Sequence, residues 1–407
     1  MEMSPSALPE ATQRTNARYA VAAGFLGWTI DAFDFFVLVL AISAIAKEFG
    51  RSIPAIALTT TASLITRPVG AFVFGLLADR YGRRPVLMAN ILFYSLMEVL
   101  SGFAPTYTTF FALRLLYGVG MGGNWGVGAS LALESVPVKR RGVVSGFLQE
   151  GYATGYLLAA AAYYTIYPHW GWRPMFFIGT IPALLTLIIC TRVVESEAWH
   201  QSRVEWATYR TAIFKNWRLF LYLAGLMAMM NFISHGTQDL YPTFLQKQRL
   251  FSSGTTAIVT AISMVGAIVG GLAFGQLSER WGRRRTMVRA ALTGVVIIPL
   301  WIWAPSLGLL MLGAFLMQAM VQGAWGVIPV HINELSPPQL RGFFPGFAYQ
   351  TGVLIASTIA YIEAVLGEHF SYATSMAGLA AIVLLIGALV IWLGPEAKGV
   401  AFVRPAK

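Results

Sequence analysis

Residues 75–84 of the chain read GLLADRYGRR, and residues 275–284 read GQLSERWGRR. The two stretches lie 200 residues apart and carry two glycines, an acidic residue and three arginines at the same offsets. The same shift aligns Trp125 with Trp325, each followed by Gly-Val. Self-similarity at a fixed distance indicates an internal repeat. The chain of 407 residues is therefore predicted to consist of two similar halves in the same orientation.

The composition is that of a membrane protein, because 57% of the residues are apolar and only 12% are charged. Soluble domains carry about 25% charged residues. Twelve apolar runs are each long enough to cross a bilayer as a helix. They lie at 19–46, 54–79, 85–104, 107–135, 140–167, 172–194, 217–246, 252–281, 286–303, 307–335, 339–366 and 371–393. The runs lack the alternation of apolar and polar residues that is typical of transmembrane barrel strands. The sequence therefore predicts an all-α membrane protein with twelve transmembrane helices in two pseudo-symmetric six-helix bundles.

Lysine and arginine are unevenly distributed between the two sides of these spans. The chain ends and the even-numbered connections hold 22 of them, and the other connections hold five. Because positive charge favours the cytoplasmic side, both termini are expected in the cytoplasm of a multi-pass protein of the cell membrane (plasma or bacterial inner membrane). The predicted organisation is a tail at 1–18, bundles at 19–194 and 217–393, a cytoplasmic linker at 195–216, and a second tail at 394–407.

Several classes of protein are disfavoured by the sequence. The net charge of +11 lies in short clusters between apolar runs, which does not fit a nucleic-acid-binding surface. The single cysteine, Cys190, excludes disulfides within the chain and a cysteine-based metal site. No phosphate-binding loop, catalytic set or metal-ligand cluster is recognisable. We therefore expect no enzyme activity, no catalytic residue, no bound metal and no cofactor.

The doubled loop resembles a known family. Residues 75–84, their copy at 275–284, and the sequence Arg114-x-x-x-Gly-x-Gly-x-Gly in the fourth span are similar to the major facilitator superfamily. More narrowly, residues 231–243 resemble the signature of the Jen-type lactate and pyruvate permeases, within the sialate:proton symporter family, and residues 148–159 look like helix 5 of that group. The resemblance implies the major facilitator superfamily fold and proton-coupled import of small carboxylates.

The seventh span has a polar face. At helical periodicity one face collects Asn231, Ser234, His235, Gln238 and Asp239, whereas Thr237 lies off it. Lipid cannot be in contact with such a face. The face either lines a cavity or forms a polar seam with neighbouring helices, and His235 could also titrate near neutrality.

Ionisable residues within spans are costly and should be paired or functional. The first half holds Asp31, Asp34, Arg67, Glu98, Arg114 and Glu150. At the positions 200 residues later, Asp31, Asp34, Arg67, Arg114 and Glu150 are replaced by Asn231, Ser234, Ala267, Ala314 and Gln350. This asymmetry favours proton and anion handling in the first half.

Arg67 is the predicted binding group for a substrate anion, because a guanidinium offers a carboxylate two parallel hydrogen bonds. An internal ion pair with Asp31 or Asp34 is the alternative. Asn231, Ser234, His235 and Gln238 are the other predicted substrate ligands, with Tyr152 and Tyr349 among the aromatic residues that could size the pocket.

The predicted proton-coupling residues are Asp31, Asp34, Arg114, Glu150 and Asp239. Asp31 and Asp34 share a helical face, and two nearby carboxylates in a low dielectric favour proton retention. Either could instead be a permanent partner of Arg67 or Arg114. Arg114 itself could snorkel outward or pair with the first helix.

The charged residues around the repeated loop predict salt bridges of a cytoplasmic gate. In the first half Asp79 is expected beside Arg83, and Glu134 beside Arg141. The second half repeats the set as Glu279, Arg283, Glu334 and Arg341. A loop that only followed the positive-inside rule would need no repeated acidic residue.

The combined expectation is a secondary transporter that carries a lactate- or pyruvate-type monocarboxylate with a proton by alternating access. Dicarboxylates, sialic acid and aromatic acids are alternative substrates, and a proton-independent facilitator or a transporter-like sensor are alternative functions. The expected partners are the carboxylate, the proton and the lipid bilayer, with no nucleic acid, for a protein expected to be a monomer.

Overall fold

The computed structural model describes residues 10–202, 206–238, 240–357 and 370–402, and every regular element in these ranges is a helix. The helices are α1 Glu10–Glu48, α2 Ile53–Tyr81, α3 Arg83–Gly102, α4 Tyr107–Glu134, α5 Arg141–Gln149, α6 Gly151–Thr165, α7 Tyr167–Trp170, α8 Arg173–Ile178, α9 Thr180–Thr191, α10 Glu197–Ser202, α11 Trp206–Lys215, α12 Trp217–Gln238, α13 Tyr241–Lys247, α14 Ser253–Trp281, α15 Arg283–Trp303, α16 Leu307–Leu335, α17 Phe344–Ala356 and α18 Tyr372–Leu393.

Each of the twelve predicted runs overlaps at least one of these helices. Within the described residues, nine helices are long and apolar enough to cross a membrane. Runs five, six and seven are each divided into two or more helices, with breaks at Glu150, at Gly179 and at Leu240. The predicted eleventh run extends to 366, and its residues 358–366 lie outside the described part of the chain.

Hydroxyl side chains start the helices that run towards the repeated loops. Ser52 and Ser252 accept a hydrogen bond from the backbone N–H three residues later, and so do Thr106 and Ser306, their counterparts in the neighbouring helices. Such N-caps stabilise a helix by about 1 kcal/mol. Because both pairs are 200 residues apart, the repeat extends from the loops to the opposite ends of the helices.

Small residues let helices of one half approach closely. A Cβ on Gly122 of α4 would overlap the backbone of Arg67 in α2. A glycine is needed there, since the two helix backbones are in direct contact. This contact fixes the position of the Arg67 backbone.

The two halves, residues 10–191 and 217–393, contact each other near the repeated loops. One contact is the crossing of α2 with α17, and its repeat-related counterpart is the crossing of α5 with α14. We call this end of the bundle, which carries the arginines of both loops, the basic end.

Candidate functional site

At the basic end, Asp79 connects the two halves. Its buried carboxylate accepts hydrogen bonds from the backbone N–H groups of Gly342 (2.7 Å) and Phe343 (3.0 Å), which immediately precede α17. It also accepts a hydrogen bond from the Tyr209 hydroxyl (2.6 Å) and pairs with Arg83 (2.8 Å). A carboxylate at a helix N-terminus is favoured by the unpaired N–H groups and by the helix dipole.

Glu279 repeats this arrangement in the other direction. It accepts a hydrogen bond from the backbone N–H of Gly142, at the start of α5, and pairs with Arg283 at 3.1 Å. Arg283 in turn pairs with Glu334 at 3.0 Å. The acidic residue of each repeated loop therefore binds the beginning of a helix in the other half, which is the arrangement that a gate requires.

Two predicted pairings are wrong, because Glu334 pairs with Arg283 rather than with Arg341, and Glu134 likewise has another partner. Glu134 pairs with Arg83 at 3.3 Å and lies 3.8 Å from Arg341 of the other half, rather than pairing with Arg141. The reason is that the end of α4 packs beside the start of α3, so Glu134 meets the arginine of the preceding loop. Among the ion pairs of these residues in the described part of the chain, Asp79–Arg83, Glu279–Arg283 and Glu334–Arg283 form within one half, and Glu134–Arg341 crosses the boundary.

Arg141 and Arg341, one from each half, instead contact the C-terminal segment. The guanidinium carbons lie 3.4 Å and 3.9 Å from the centre of the Phe402 ring. Arg141 also donates a hydrogen bond to the Val400 carbonyl at 2.7 Å. A cation over an aromatic face is attracted by the ring quadrupole. Phe402 therefore holds together two like charges from opposite halves, a role that sequence analysis missed.

The segment at 195–216, predicted as a linker, is part of the same network. Its α10 and α11 place the Trp199 indole N–H 2.9 Å from the backbone carbonyl of Asp79, and the Tyr209 hydroxyl on the Asp79 carboxylate. Ser196 donates to the Glu134 carboxylate. The aromatic residues of this charged stretch are the feature of the sequence that could have predicted its packing, because a solvated linker does not need aromatic residues.

Two titratable groups of this segment lie outside the spans. The Glu195 carboxylate accepts a hydrogen bond from the backbone N–H of Arg84 at 3.0 Å. Burial raises the pKa of the Glu195 carboxyl and of the Tyr209 hydroxyl above their ordinary values.

Deeper in the bundle, Arg67 presents an unused edge. Its side chain is buried with 5% exposure, and neither Nε nor Nη2 has a hydrogen-bond partner among the described residues. Neither carboxylate oxygen of Asp31 accepts a hydrogen bond of normal geometry among the described residues. Arg67 and the Asn124 amide are nevertheless close enough to interact with the carboxylate charge of Asp31. The structure thus brings the predicted anion ligand and a predicted proton acceptor together without the direct hydrogen bonds of an ion pair.

Arg114 lies in a separate buried cluster. It forms an ion pair with Glu98 of α3 and donates to the Ser101 hydroxyl at 2.9 Å. The possibility that Arg114 snorkels outward is wrong, because its side chain is fully buried. Its direct ionic partner is on α3 rather than on α1, but Asp34 of α1 lies close enough for its charge to interact with both Glu98 and Arg114.

An aromatic cluster joins the two halves beside Arg67. The Tyr349 ring lies 4.7 Å from Trp125, 5.9 Å from Trp325 and 6.1 Å from Trp28, measured between centroids. Tyr152 is 5.5 Å from Trp28. Arg67 and Asp31 are close enough to Tyr349 for their charges to interact with its hydroxyl group. Both predicted tyrosines therefore belong to one cluster, in which the repeat-related tryptophans converge on Tyr349.

The polar face of α12 is in part a seam. Gln238 donates to the Gln318 side chain of α16 at 2.7 Å, and the Asn231 amide donates to a backbone carbonyl of its own helix. Ser234 and His235 are half-buried. Asp239, predicted as a proton-coupling residue, lies outside the described residues. Thr237, which lies off the face, bonds to the backbone of its own helix.

Glu150 occupies the break between α5 and α6, at the boundary of the two halves. It is buried, and its Oε1 has no hydrogen-bond partner in the described part of the chain. Gln350, its counterpart in α17, is also buried, and neither its amide nitrogen nor its amide oxygen is paired within that part.

Two family models match the chain. The model described as Major Facilitator Superfamily matches residues 24–252, and the model described as Sugar (and other) transporter matches residues 211–398.

Curated relatives are similar over most of the chain. The "Carboxylic acid transporter protein homolog" of Saccharomyces cerevisiae is 26% identical over 377 residues, a match that covers 85% of this chain and 61% of that protein. The chain thus spans less than two thirds of the length of this relative. The "Sialic acid transporter NanX" of Escherichia coli is 28% identical over 381 residues, covering 91% of this chain and 93% of that protein.

A solved structure of the proton:xylose symporter XylE bound to 6-bromo-6-deoxy-D-glucose has the same fold. The TM-score is 0.75 at 18% sequence identity, and the match covers 95% of this chain and 98% of that chain. The likeness extends over nearly the whole length of both chains and shows that they share this fold.

Proposed function

Because the chain belongs to the Major Facilitator Superfamily and is a secondary transporter, as its relatives are, we propose that it carries a small organic carboxylate together with a proton. The observation that supports this most is the unpaired Nε–Nη2 edge of Arg67 inside the bundle. Two parallel N–H donors on one edge match the two oxygens of a carboxylate. Leaving such donors unpaired is costly unless a ligand completes them.

The proton has a site beside the anion. When Asp31 is ionised, Arg67 and Asp31 attract each other, and the arginine is less available to a substrate. Protonation of Asp31 removes this competition and leaves Arg67 free to bind the anion. The carboxylate and the proton then enter together, and the pair adds no net charge to a low-dielectric interior. Asp34, beside the Glu98–Arg114 pair, is the second candidate for the proton.

The basic end is assigned to the cytoplasm, with both termini on that side of a cell membrane, because of the excess of arginine there. The closed network of Asp79 and Glu279 is then a cytoplasmic gate. Alternating access would require this gate to open after the substrate has bound between the halves.

The proposed substrate class is a lactate- or pyruvate-type monocarboxylate. The similarity of residues 231–243 to the Jen-type signature supports it, and so does the name of the yeast relative, a carboxylic acid transporter homolog. Sialic acid is the second candidate, because a relative of similar identity is named as its transporter.

The test is uptake of labelled L-lactate into proteoliposomes, with and without an inward proton gradient. We expect accumulation that the gradient stimulates, that Arg67→Ala abolishes, and that Arg67→Lys weakens because lysine keeps the charge but not the two-donor edge. Arg173→Ala is the matched control, since Arg173 is a half-exposed arginine that pairs with Glu48 away from this site.

Uptake that is indifferent to the gradient would favour a proton-independent facilitator. Binding without uptake would favour a sensor. Uptake of sialic acid but not of lactate, with the same dependence on Arg67, would keep the mechanism and replace the substrate.

A further inference from the structure

The crossing of α5 and α14 at the boundary of the halves is built on glycine. A Cβ on Gly142 would overlap the backbone carbonyl of Gly275, and a Cβ on Gly146 would overlap that of Gly271. The two helix backbones are therefore in direct contact, and the glycines of each helix are four residues apart. Close backbone contact leaves no space for water between the helices.

A carboxylate follows the glycines on each helix, again after four residues. Glu279 lies four residues beyond Gly275 on α14. Its carboxylate has partners, because it accepts a hydrogen bond from the backbone N–H of Gly142 and pairs with the guanidinium of Arg283. Glu150 extends α5 beyond Gly146 in the opposite direction. Its Oε1 is the heavy atom nearest to the position that a Cβ on Gly271 would take, so the carboxylate rests on the α14 backbone.

No charged side chain of the described residues forms an ion pair with Glu150. The Glu150 side chain is 7% exposed, and Oε1 lacks a hydrogen-bond partner within the described ranges. The charged residues of the helices packed on α5 form no ion pair with Glu150 in the described part of the chain. They are Glu10, Arg14, Arg18, Asp31, Asp34, Lys47 and Glu48 of α1, Arg114 and Glu134 of α4, Glu279 and Arg280 of α14, and His331 and Glu334 of α16.

The repeat-related crossing is neutral at the same place. There α2 and α17 cross, with Gly346 beside Ala71 and Gly342 beside the Asp79 carboxylate. The residue that corresponds to Glu150 is Gln350, which has a similar shape but does not titrate. Only one of the two crossings can therefore respond to pH at this position.

Glu150 is also the residue at which the fifth span breaks. Helix α5 ends at Gln149 and α6 begins at Gly151. The carbonyl of Glu150 accepts hydrogen bonds from both the backbone N–H (3.0 Å) and the hydroxyl (2.9 Å) of Thr154. Glu150 therefore lies at the end of the short helix that contacts α14.

We propose that Glu150 is a protonation-dependent lock on the crossing of α5 and α14. A neutral carboxyl is compatible with the dry contact on Gly271, and an ionised one is not. When the crossing separates, water reaches the carboxyl and it releases its proton to the side of the basic end. The assignment of this lock to proton coupling rests on the proposed function. The lock adds to that function the residue that links proton release to gate opening.

The test measures the gate itself and needs no substrate. Spin labels at Lys139→Cys and Arg280→Cys, two exposed positions flanking the crossing, report its opening by distance measurement in lipid at pH 5 to 9. We expect the population with the longer distance to increase at least about tenfold as the pH rises. A single group whose pKa differs by about one unit between the closed and open states produces a change of this size. Glu150→Gln should hold the short distance at every pH.

Gln350→Ala is the matched control and should keep the pH response of the wild-type protein, and Glu150→Asp should retain a response with a displaced midpoint. A pH-independent distance in the wild-type protein would overturn the proposal. The wild-type response persisting in Glu150→Gln would overturn it equally. If Glu150→Gln does not fold, the displaced midpoint of Glu150→Asp decides, and an unchanged midpoint counts against the lock. Failure of lactate uptake with an intact pH response would refute the proposed function alone.

Discussion

The Asp79 carboxylate accepts a 2.7 Å hydrogen bond from the backbone N–H of Gly342, which belongs to the other half of the chain. Its repeat-related counterpart is the hydrogen bond from Gly142 to Glu279. Two equivalent contacts in opposite directions make the closed basic end approximately symmetric. Opening this end requires both to break, so each should control the population of the open state.

Replacing Asp79 by alanine should favour the open basic end. The change removes two hydrogen bonds from backbone N–H groups and one of the two carboxylate partners of Arg83. Hydrogen bonds to a charged group contribute about 1.5–3 kcal/mol each. Distance measurements between spin labels on the ends of α2 and α17 should show the open population rising by more than tenfold. Lys398→Ala, which changes an exposed cation at the same end, is the control and should have no effect.

Phe402→Ala should weaken the closed state by a smaller amount. The ring separates the guanidinium groups of Arg141 and Arg341, and each cation–π contact contributes about 0.5–2 kcal/mol. Without the ring the two arginines repel each other across the boundary. Phe402→Trp retains an aromatic face and should restore the closed population. An alanine variant with the wild-type distance distribution would show that the C-terminal segment has no part in the gate.

Asp31→Asn should separate exchange from accumulation. The asparagine amide cannot take up and release a proton as the carboxyl does, but it leaves Arg67 free to bind an anion. Counterflow of carboxylate should therefore continue, while proton-driven accumulation is lost. Asp34→Asn should behave differently, because Asp34 interacts with the Glu98–Arg114 pair. Both reactions are measured in the same proteoliposomes. Full accumulation in both variants would remove α1 from the coupling mechanism.

Gly122→Ala should destabilise the fold, since the added methyl group would overlap the Arg67 backbone. Overpacking of this kind typically costs about 1–3 kcal/mol, and direct overlap with backbone should place it at the upper end. The measurement is thermal unfolding in detergent. Gly378→Ala in α18 is the matched control, because a Cβ there meets open space, and its melting temperature should be unchanged or higher.

The predictions that succeeded rest on local features of the sequence. A span must be apolar over about 20 residues to cross a bilayer, so the twelve runs can be found without knowledge of their neighbours. The acidic residue and the arginine of each repeated loop are four residues apart on either side of a glycine, and their pairing follows from that spacing.

The predictions that failed concern partners from different parts of the chain. Glu134 pairs with Arg83 because α4 ends beside the start of α3, and the sequence offers several equally plausible arginines. Arg114 pairs with Glu98 for a similar reason. The structured α10 and α11, and the position of Phe402, depend on surfaces that exist only after the helices have packed.

The sequence by itself determined the membrane class, the repeat, the helix positions and the residue types available for carrying an anion and a proton. These follow from hydropathy and periodicity, which are properties of neighbouring residues. The tertiary structure alone decided that Asp79 binds the start of α17, that the Nε–Nη2 edge of Arg67 stays unpaired, and that Glu150 rests without a counter-charge on Gly271. Whether a buried charge is satisfied depends on which distant groups the packing brings within hydrogen-bond distance, and no local pattern encodes that distance.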